Sequence, residues 1–310
     1  MKSTVLKVAR LPDMLSERLY ADYDVLEGSE SGEELEAQTV RGIRALIANG
    51  ESRVSAGLIE RLPDLQVIVV FGVGYDGIDV EAARARGIAV THTPDVLTDD
   101  VADFAMTLLL GTARRIARAD RFVREGRWQQ GPFPFTRKVS GKRLGIVGLG
   151  RIGKAIAQRA AAFDMQISYH SRRPLGVDYP YYASVTELAA AVDFLLVAVG
   201  GGDSTHHLVD AGVLDALGSQ GILINVGRGS VVDEAALAQA LAEGRLLGAG
   251  LDVFEDEPRP HARLLDLDNV LLAPHMASAT WDTRRAMSDL TLANLAAHFA
   301  GEPLPTPVPD

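Results

Sequence analysis

An arginine set between glycines, Gly227-Arg228-Gly229, directly follows an apolar run, and a histidine, His275, stands behind Pro274 at the end of another. If those runs are strands of an open α/β sheet, both residues lie at its carboxyl edge, where ligands bind. A guanidinium there can pair with a carboxylate through two hydrogen bonds. An imidazole can hand a proton to a carbonyl oxygen while the adjacent carbon is attacked. A carboxylate partner would favour the protonated imidazole and keep its proton available near neutrality. The plain alternatives are an arginine that merely caps a turn and a histidine that is one of seven and incidental.

A third element bears on ligand binding. Gly148-Leu149-Gly150-Arg151-Ile152-Gly153 matches G-x-G-x-x-G, follows the strand-like run Leu144–Val147 and opens the helical pattern Ile152–Phe163. In that context glycines let backbone N–H groups and the positive end of a helix approach a pyrophosphate. Sites that prefer NAD end the following strand in Asp or Glu, about 20 residues on, to hold the ribose hydroxyls. Here that strand ends in His170-Ser171-Arg172-Arg173-Pro174, without an acid. A carboxylate would repel a 2′-phosphate, whereas a hydroxyl and two guanidiniums supply donors and charge. The expected cofactor is therefore NADP(H), with NAD(H) accepted at lower affinity; the bland reading is a solvated basic turn.

The elements that must position these residues follow a βα rhythm from end to end, which implies parallel sheets covered by helices on both faces. A first series of strands reads as Val5–Ala9, Asp24–Leu26, Ala45–Ile47, Gln66–Val70 and Ile88–Val90, with helical patterns at Ser55–Leu62 and Val80–Arg86. After the turn Thr93-Pro94-Asp95 a capped helix is expected from Val101 to Arg118. Its nearly all-apolar first turns suit a domain junction or a subunit interface. The arginines at 114, 115, 118, 121, 124 and 127 read as a solvated helix face. A second series of strands runs Leu144–Val147, Gln166–His170, Asp193–Val199, Gly221–Val226, Leu247–Leu251 and Val270–Ala273, and Ser184 with Glu187 spells a capping box. The last helical pattern, Thr280–Phe299, follows once that series is complete, and its expected place is back against the first domain.

Composition narrows the ligand. The 310 residues (33.2 kDa) exceed the size at which single cores usually stop growing, so two domains are expected. Forty-one acids against 31 bases leave a net charge of −10, which works against nucleic acid and anionic membranes and makes a small molecule the default partner. Without cysteine there is no disulfide, iron–sulfur cluster, zinc–thiolate site or thiol nucleophile, and no metal is expected. No apolar run approaches the roughly 18 residues of a membrane span, and the expected location is the cytoplasm.

Six ordered segments carry a resemblance: Phe71 to Asp79, Thr93 to Asp103, Gly148 to Gly153, Asn225 to Gly229, Gly250 to Pro258, and Ala273-Pro274-His275. Together they resemble the D-isomer-specific 2-hydroxyacid dehydrogenases, and more narrowly the glyoxylate/hydroxypyruvate and hydroxyphenylpyruvate reductases of that family. The resemblance implies an α/β chain of two Rossmann-like domains. One is a flavodoxin-like substrate domain, residues 1–98 plus 283–310; the other is an inserted dinucleotide-binding, doubly wound parallel sheet, residues 99–282. It implies NADPH-dependent reduction of small 2-oxo acids by a homodimer, with Arg228, Glu257 and His275 catalytic and the amides of Val73 and Gly74 holding the substrate carboxylate alongside Arg228 and His275. Phenylpyruvate-type substrates, or a cofactor-sensing corepressor, are the alternatives.

Cofactor contacts implied by the resemblance fall at Gly148, Leu149, Gly150, Arg151 and Ile152, then at Ser171, Arg172 and Arg173. Nearer the reacting end they fall at Val199, Thr205, Val226 and Gly227, and at Asp252, His275, Ala277 and Ser278. Where many relatives have a proline-containing loop, this chain has Val199-Gly200-Gly201-Gly202-Asp203, whose glycines predict a more mobile loop. The segment Trp128 to Phe135 is expected to bear on substrate choice.

Overall fold

In the computed structural model, which describes residues 2–33, 35 and 40–309, the chain divides into two compact units, Met1–Leu97 with Ala279–Asp310, and Thr98–Ser278. Each has its own apolar core.

The first unit holds strands β1 (Thr4–Lys7), β2 (Asp24–Glu27), β3 (Ile43–Asn49), β4 (Val67–Phe71) and β5 (Ala89–Thr91), all parallel in the order β2-β1-β3-β4-β5. This is the flavodoxin-like order. Every side chain of β4 is buried, as a central parallel strand covered on both faces requires. Helices α1 (Asp13–Asp22), α2 (Ala56–Arg61) and α3 (Val80–Ala85) connect the strands, with Ser55 and Asp79 capping the last two through their side chains. From the far end of the chain, α11 (Trp281–Ala300) packs on β4 and α1, starting at the cap Thr280 and stopping at Gly301 in the left-handed region.

The second unit is a seven-stranded parallel sheet of β6 (Arg143–Val147), β7 (Gln166–His170), β8 (Tyr181–Tyr182), β9 (Phe194–Val197), β10 (Ile222–Asn225), β11 (Gly248–Leu251) and β12 (Val270–Leu272). Their order, β12-β11-β10-β9-β6-β7-β8, reverses direction at β6. Ligands bind at such a switch point. The helices are α4 (Thr98–Ala113), α5 (Ile116–Arg124), α6 (Arg151–Ala161), α7 (Val185–Ala191), α8 (Ala211–Leu217), α9 (Glu234–Ala242) and α10 (Ala262–Leu265). Among the described residues no helix is long and apolar enough to cross a membrane.

Three local expectations need correction. The helix expected from Val101 to Arg118 breaks where Arg115 enters the left-handed region at φ 50°, so α4 and α5 are separate helices. A seventh strand, the two-residue β8, joins the sheet beside β7. Ser184 caps α7 through the N–H of Thr186 at 3.2 Å, one residue short of the capping-box donor. Of the arginine series, Arg118, Arg121 and Arg124 lie on α5, none of whose residues is buried; Arg121 and Arg124 pair with Asp268 and Asp120, and Arg127, beyond the helix, with Glu125.

Asp193, which leads into β9, ties the amino edge of this sheet together. It accepts from Arg137 Nη2 at 3.0 Å, and from the backbone N–H and Nε of Arg143 at 3.0 and 3.1 Å. Burial raises its pKa, but the Arg143 hydrogen bonds outweigh burial and hold the carboxyl below its ordinary value. An acid with a lowered folded-state pKa contributes stability above its unfolded pKa and loses it as pH falls through the folded one. Asp193→Asn is therefore expected to cost about 1–3 kcal/mol at pH 7. In urea titrations the gap to wild type should close as the pH falls below about 4; a gap that does not change with pH would show that charge is not its source.

Candidate active site

The glycine turn sits between β6 and α6. Gly148 has φ +95°, donates its N–H to the His170 carbonyl at 2.9 Å, and leaves no room for a Cβ beside Val199 and Ala198. A Cβ on Gly153 would collide with the Gly148 carbonyl, which explains the third glycine. Around Gly150, the N-cap of α6, there is open space. Two of the glycines thus close the turn, and the second leaves the helix end approachable by a ligand. Leu149 is buried, whereas Arg151 is exposed and Ile152 half-buried.

Beyond β7, Arg172 and Arg173 are exposed. The Ser171 hydroxyl donates to the Arg173 carbonyl at 2.6 Å, so it shapes the turn that presents the two guanidiniums. On the other side of β6, the loop after β9 is closed by Thr205, whose hydroxyl donates to the carbonyls of Gly200 and Gly202 at 2.8 and 3.1 Å. Gly227 packs so tightly on the backbone of Val199 that a side chain is excluded, and Val226 is buried.

Arg228, Asp252, Glu257 and His275 follow β10, β11 and β12, three neighbouring strands in register at their carboxyl ends. Arg228 is half-buried and extended, with Nη1 donating to the Gly227 carbonyl at 3.0 Å. Its turn is pinned by Asn225, a buried residue to which sequence reasoning gave no role. Asn225 Nδ2 donates to the Arg228 carbonyl at 2.9 Å, and Oδ1 accepts from Gly227 N–H at 3.0 Å. Gly229 lies directly on the backbone of Phe254 and Glu255, locking the arginine turn to the segment that bears Glu257.

His275 has φ +51°, a conformation that L residues adopt only when held. Three bonds to Asp252 hold it: His275 N–H donates to the Asp252 carbonyl at 2.8 Å, and the carboxylate accepts from Met276 and Ala277 N–H at 2.8 and 2.9 Å. Asp252 is 1% exposed; burial pushes its carboxyl up, against the pull of those two N–H groups. The imidazole turns Nδ1 to Glu257 Oε2 at 2.7 Å, while Glu257 Oε1 accepts from Phe254 N–H at 2.9 Å. A ring fixed in this way, with a carboxylate behind Nδ1, can deliver a proton from Nε2. Ala277 is buried and Ser278 half-buried on the same turn.

In the first unit, Val73 and Gly74 form a half-buried loop after β4, anchored where His92 Nδ1 meets the Val73 carbonyl at 2.9 Å. Neither residue's N–H donates to another group among the described residues. Elsewhere in the second unit, His206, His207 and Glu255 bring ligand atoms within 4.8 Å of one another. The two rings stack at 4.0 Å and 23°, and His207 Nε2 is hydrogen-bonded to Glu255 Oε1.

Residues 106–277 match the model of the D-isomer specific 2-hydroxyacid dehydrogenase NAD binding domain. The chain is 51% identical to a hydroxyphenylpyruvate reductase of Plectranthus scutellarioides over 88% of its length and 87% of that protein's. It is 52% identical to glyoxylate/hydroxypyruvate reductase A of Arabidopsis thaliana, covering 86% and 85%. Among solved structures, an NADPH-dependent glyoxylate/hydroxypyruvate reductase from Sinorhizobium meliloti, in complex with NADP and malonate, superposes with a TM-score of 0.94. Its identity is 44%, with 99% of this chain and 97% of that one covered.

The contrast between two glycines is testable by calorimetry. Gly229→Ala forces a methyl into backbone and is expected to cost about 1–3 kcal/mol, roughly 2–12 °C in melting temperature for a unit of this size. Gly150→Ala, which meets open space, should leave the melting temperature within about 2 °C of wild type. Equal effects would contradict the packing described.

Proposed function

Because the chain belongs to the D-isomer specific 2-hydroxyacid dehydrogenase family, we propose that it reduces small 2-oxo acids to D-2-hydroxy acids with NADPH, glyoxylate and hydroxypyruvate foremost. The observation that carries this reading is the His275–Glu257 pair at 2.7 Å, at the same sheet edge as Arg228 and the glycine turn.

The residues present fit a dinucleotide phosphate. The space at Gly150, the amino end of α6 and the carboxylate-free turn with two exposed arginines are what a pyrophosphate and a 2′-phosphate require. Gly148 to Ile152 would hold the pyrophosphate, and Arg172 and Arg173 the 2′-phosphate on the turn shaped by Ser171. Val199, Thr205, Val226, Gly227, Asp252, Ala277 and Ser278 would lie along the nicotinamide half. When bound, this cofactor supplies the hydride that becomes the new C–H bond at C2. Arg228 pairs with the substrate carboxylate and polarises its carbonyl, with the Val73 and Gly74 amides as further donors. His275 gives the proton to the carbonyl oxygen, and Glu257 holds the ring oriented and charged for that transfer.

The substrate domain in this reading is 1–98 plus 283–310, and the cofactor domain 99–282. We further read the protein as a cytoplasmic homodimer without a nucleic-acid partner. Support for the homodimer lies in the exposed apolar side chains of Ile116, Val123, Trp128 and Phe135, which a second copy would cover. A second substrate reading, phenylpyruvate-type acids, is favoured by the 51% identity to a hydroxyphenylpyruvate reductase.

Initial rates on glyoxylate, hydroxypyruvate and phenylpyruvate, each with NADPH and NADH, test the assignment. Turnover should be fastest with NADPH and one of the first two acids; no turnover of any would refute it. Replacing Arg172 and Arg173 by alanine should raise the KM for NADPH at least about tenfold more than that for NADH, since each bond to a charged group contributes roughly 1.5–3 kcal/mol. His275→Ala should lower kcat by about 100-fold or more with NADPH binding retained.

A further inference from the structure

Glu234 is a buried carboxylate that the chemistry above leaves unused. It opens α9 behind the cap Asp233 and is 3% exposed, although an acid in the first turn of a helix ordinarily points to water. Its two oxygens are both engaged: Oε1 accepts the N–H of Glu255 at 2.5 Å and Oε2 the N–H of His261 at 3.0 Å. These donors are the first and last residues of Glu255-Asp256-Glu257-Pro258-Arg259-Pro260-His261, a run outside any strand or helix that carries Glu257 and contains two prolines. Burial pushes the Glu234 carboxyl up, and the two N–H groups pull it back. A carboxylate presents an acceptor to each donor at once. Glutamine of the same shape presents one acceptor and one NH₂, setting a donor against a donor.

We propose that Glu234 is a positioning residue for the reduction: by clamping both ends of the 255–261 segment it fixes Glu257 against His275 and so aims the proton donor. This rests on the reductase reading above. A residue that only stabilised the fold would act whether or not Glu257 was present, whereas a residue acting through Glu257 has nothing left to position once Glu257 is gone.

The test compares wild type, Glu234→Gln, Glu257→Gln and the double variant in steady-state kinetics with glyoxylate and NADPH at 25 °C, with NADPH affinity read from nicotinamide fluorescence. Glu234→Gln is expected to lower kcat about 10- to 100-fold, the range for slight misplacement of a reacting group. The KM for glyoxylate and the Kd for NADPH should stay within about threefold. In the Glu257→Gln background the same change should cost less than about threefold. Equal cost in both backgrounds, or an unchanged kcat in Glu234→Gln, overturns the proposal.

If Glu234→Gln does not fold, His261→Pro carries the test. Its φ of −54° suits proline, and the change deletes one of the two donors while sparing Glu234. Its kcat should fall at least about threefold below that of His261→Ala, which keeps the N–H; equal kcat values count against the clamp. A wild type that reduces none of the three 2-oxo acids would instead overturn the reductase reading, and this inference with it.

Discussion

The candidate chemistry depends on one buried carboxylate, Asp252. A histidine at φ +51° is an uncomfortable backbone, of the order of 1–3 kcal/mol above its relaxed state. It persists because Asp252 takes the N–H groups of three consecutive residues, 275 to 277, on its carbonyl and carboxylate. The carboxylate is in turn costly to bury unless such donors surround it. Each feature therefore requires the other. The sharp turn after β12 supplies the donors, the donors justify the buried charge, and the turn swings the imidazole to meet Glu257.

The same edge of the sheet is organised by backbone approaching backbone. Gly153 on Gly148, Gly227 on Val199 and Gly229 on Phe254 are contacts with no room for a Cβ. The first closes the turn after β6, and the other two join the segments that follow β9, β10 and β11 more closely than side chains would permit. Loops built in this way transmit position rigidly, because there is no rotatable group between them to absorb a shift.

What the sequence made legible is what is local. The glycine turn, the strands on either side of it and the basic turn after β7 are written in consecutive residues, and the order of six motifs pointed to Arg228, Glu257 and His275. What it hid depends on backbone partners, which leave no mark on residue type: Asn225 pins the Gly227 N–H and the Arg228 carbonyl of its own turn, and Glu234 takes the N–H groups of Glu255 and His261, 21 and 27 residues on. The break at Arg115 carries no glycine or proline to announce it, and the two-residue β8 is too short to show a period.

The discontinuity of the first unit bears on the order of events during synthesis. Its last strand, β5, is completed by the tail of the chain: His92 N–H donates to the Thr306 carbonyl, Val308 N–H donates to that of Val90, and Thr91 bridges to Pro307. The second unit is contiguous and ends at Ser278. On the ribosome it has all its residues about thirty codons before the first unit does, so the nucleotide fold can close while β4 and β5 still await α11 and the tail. The strands of the first unit thus precede those of the second in the chain, yet their sheet is completed only after it.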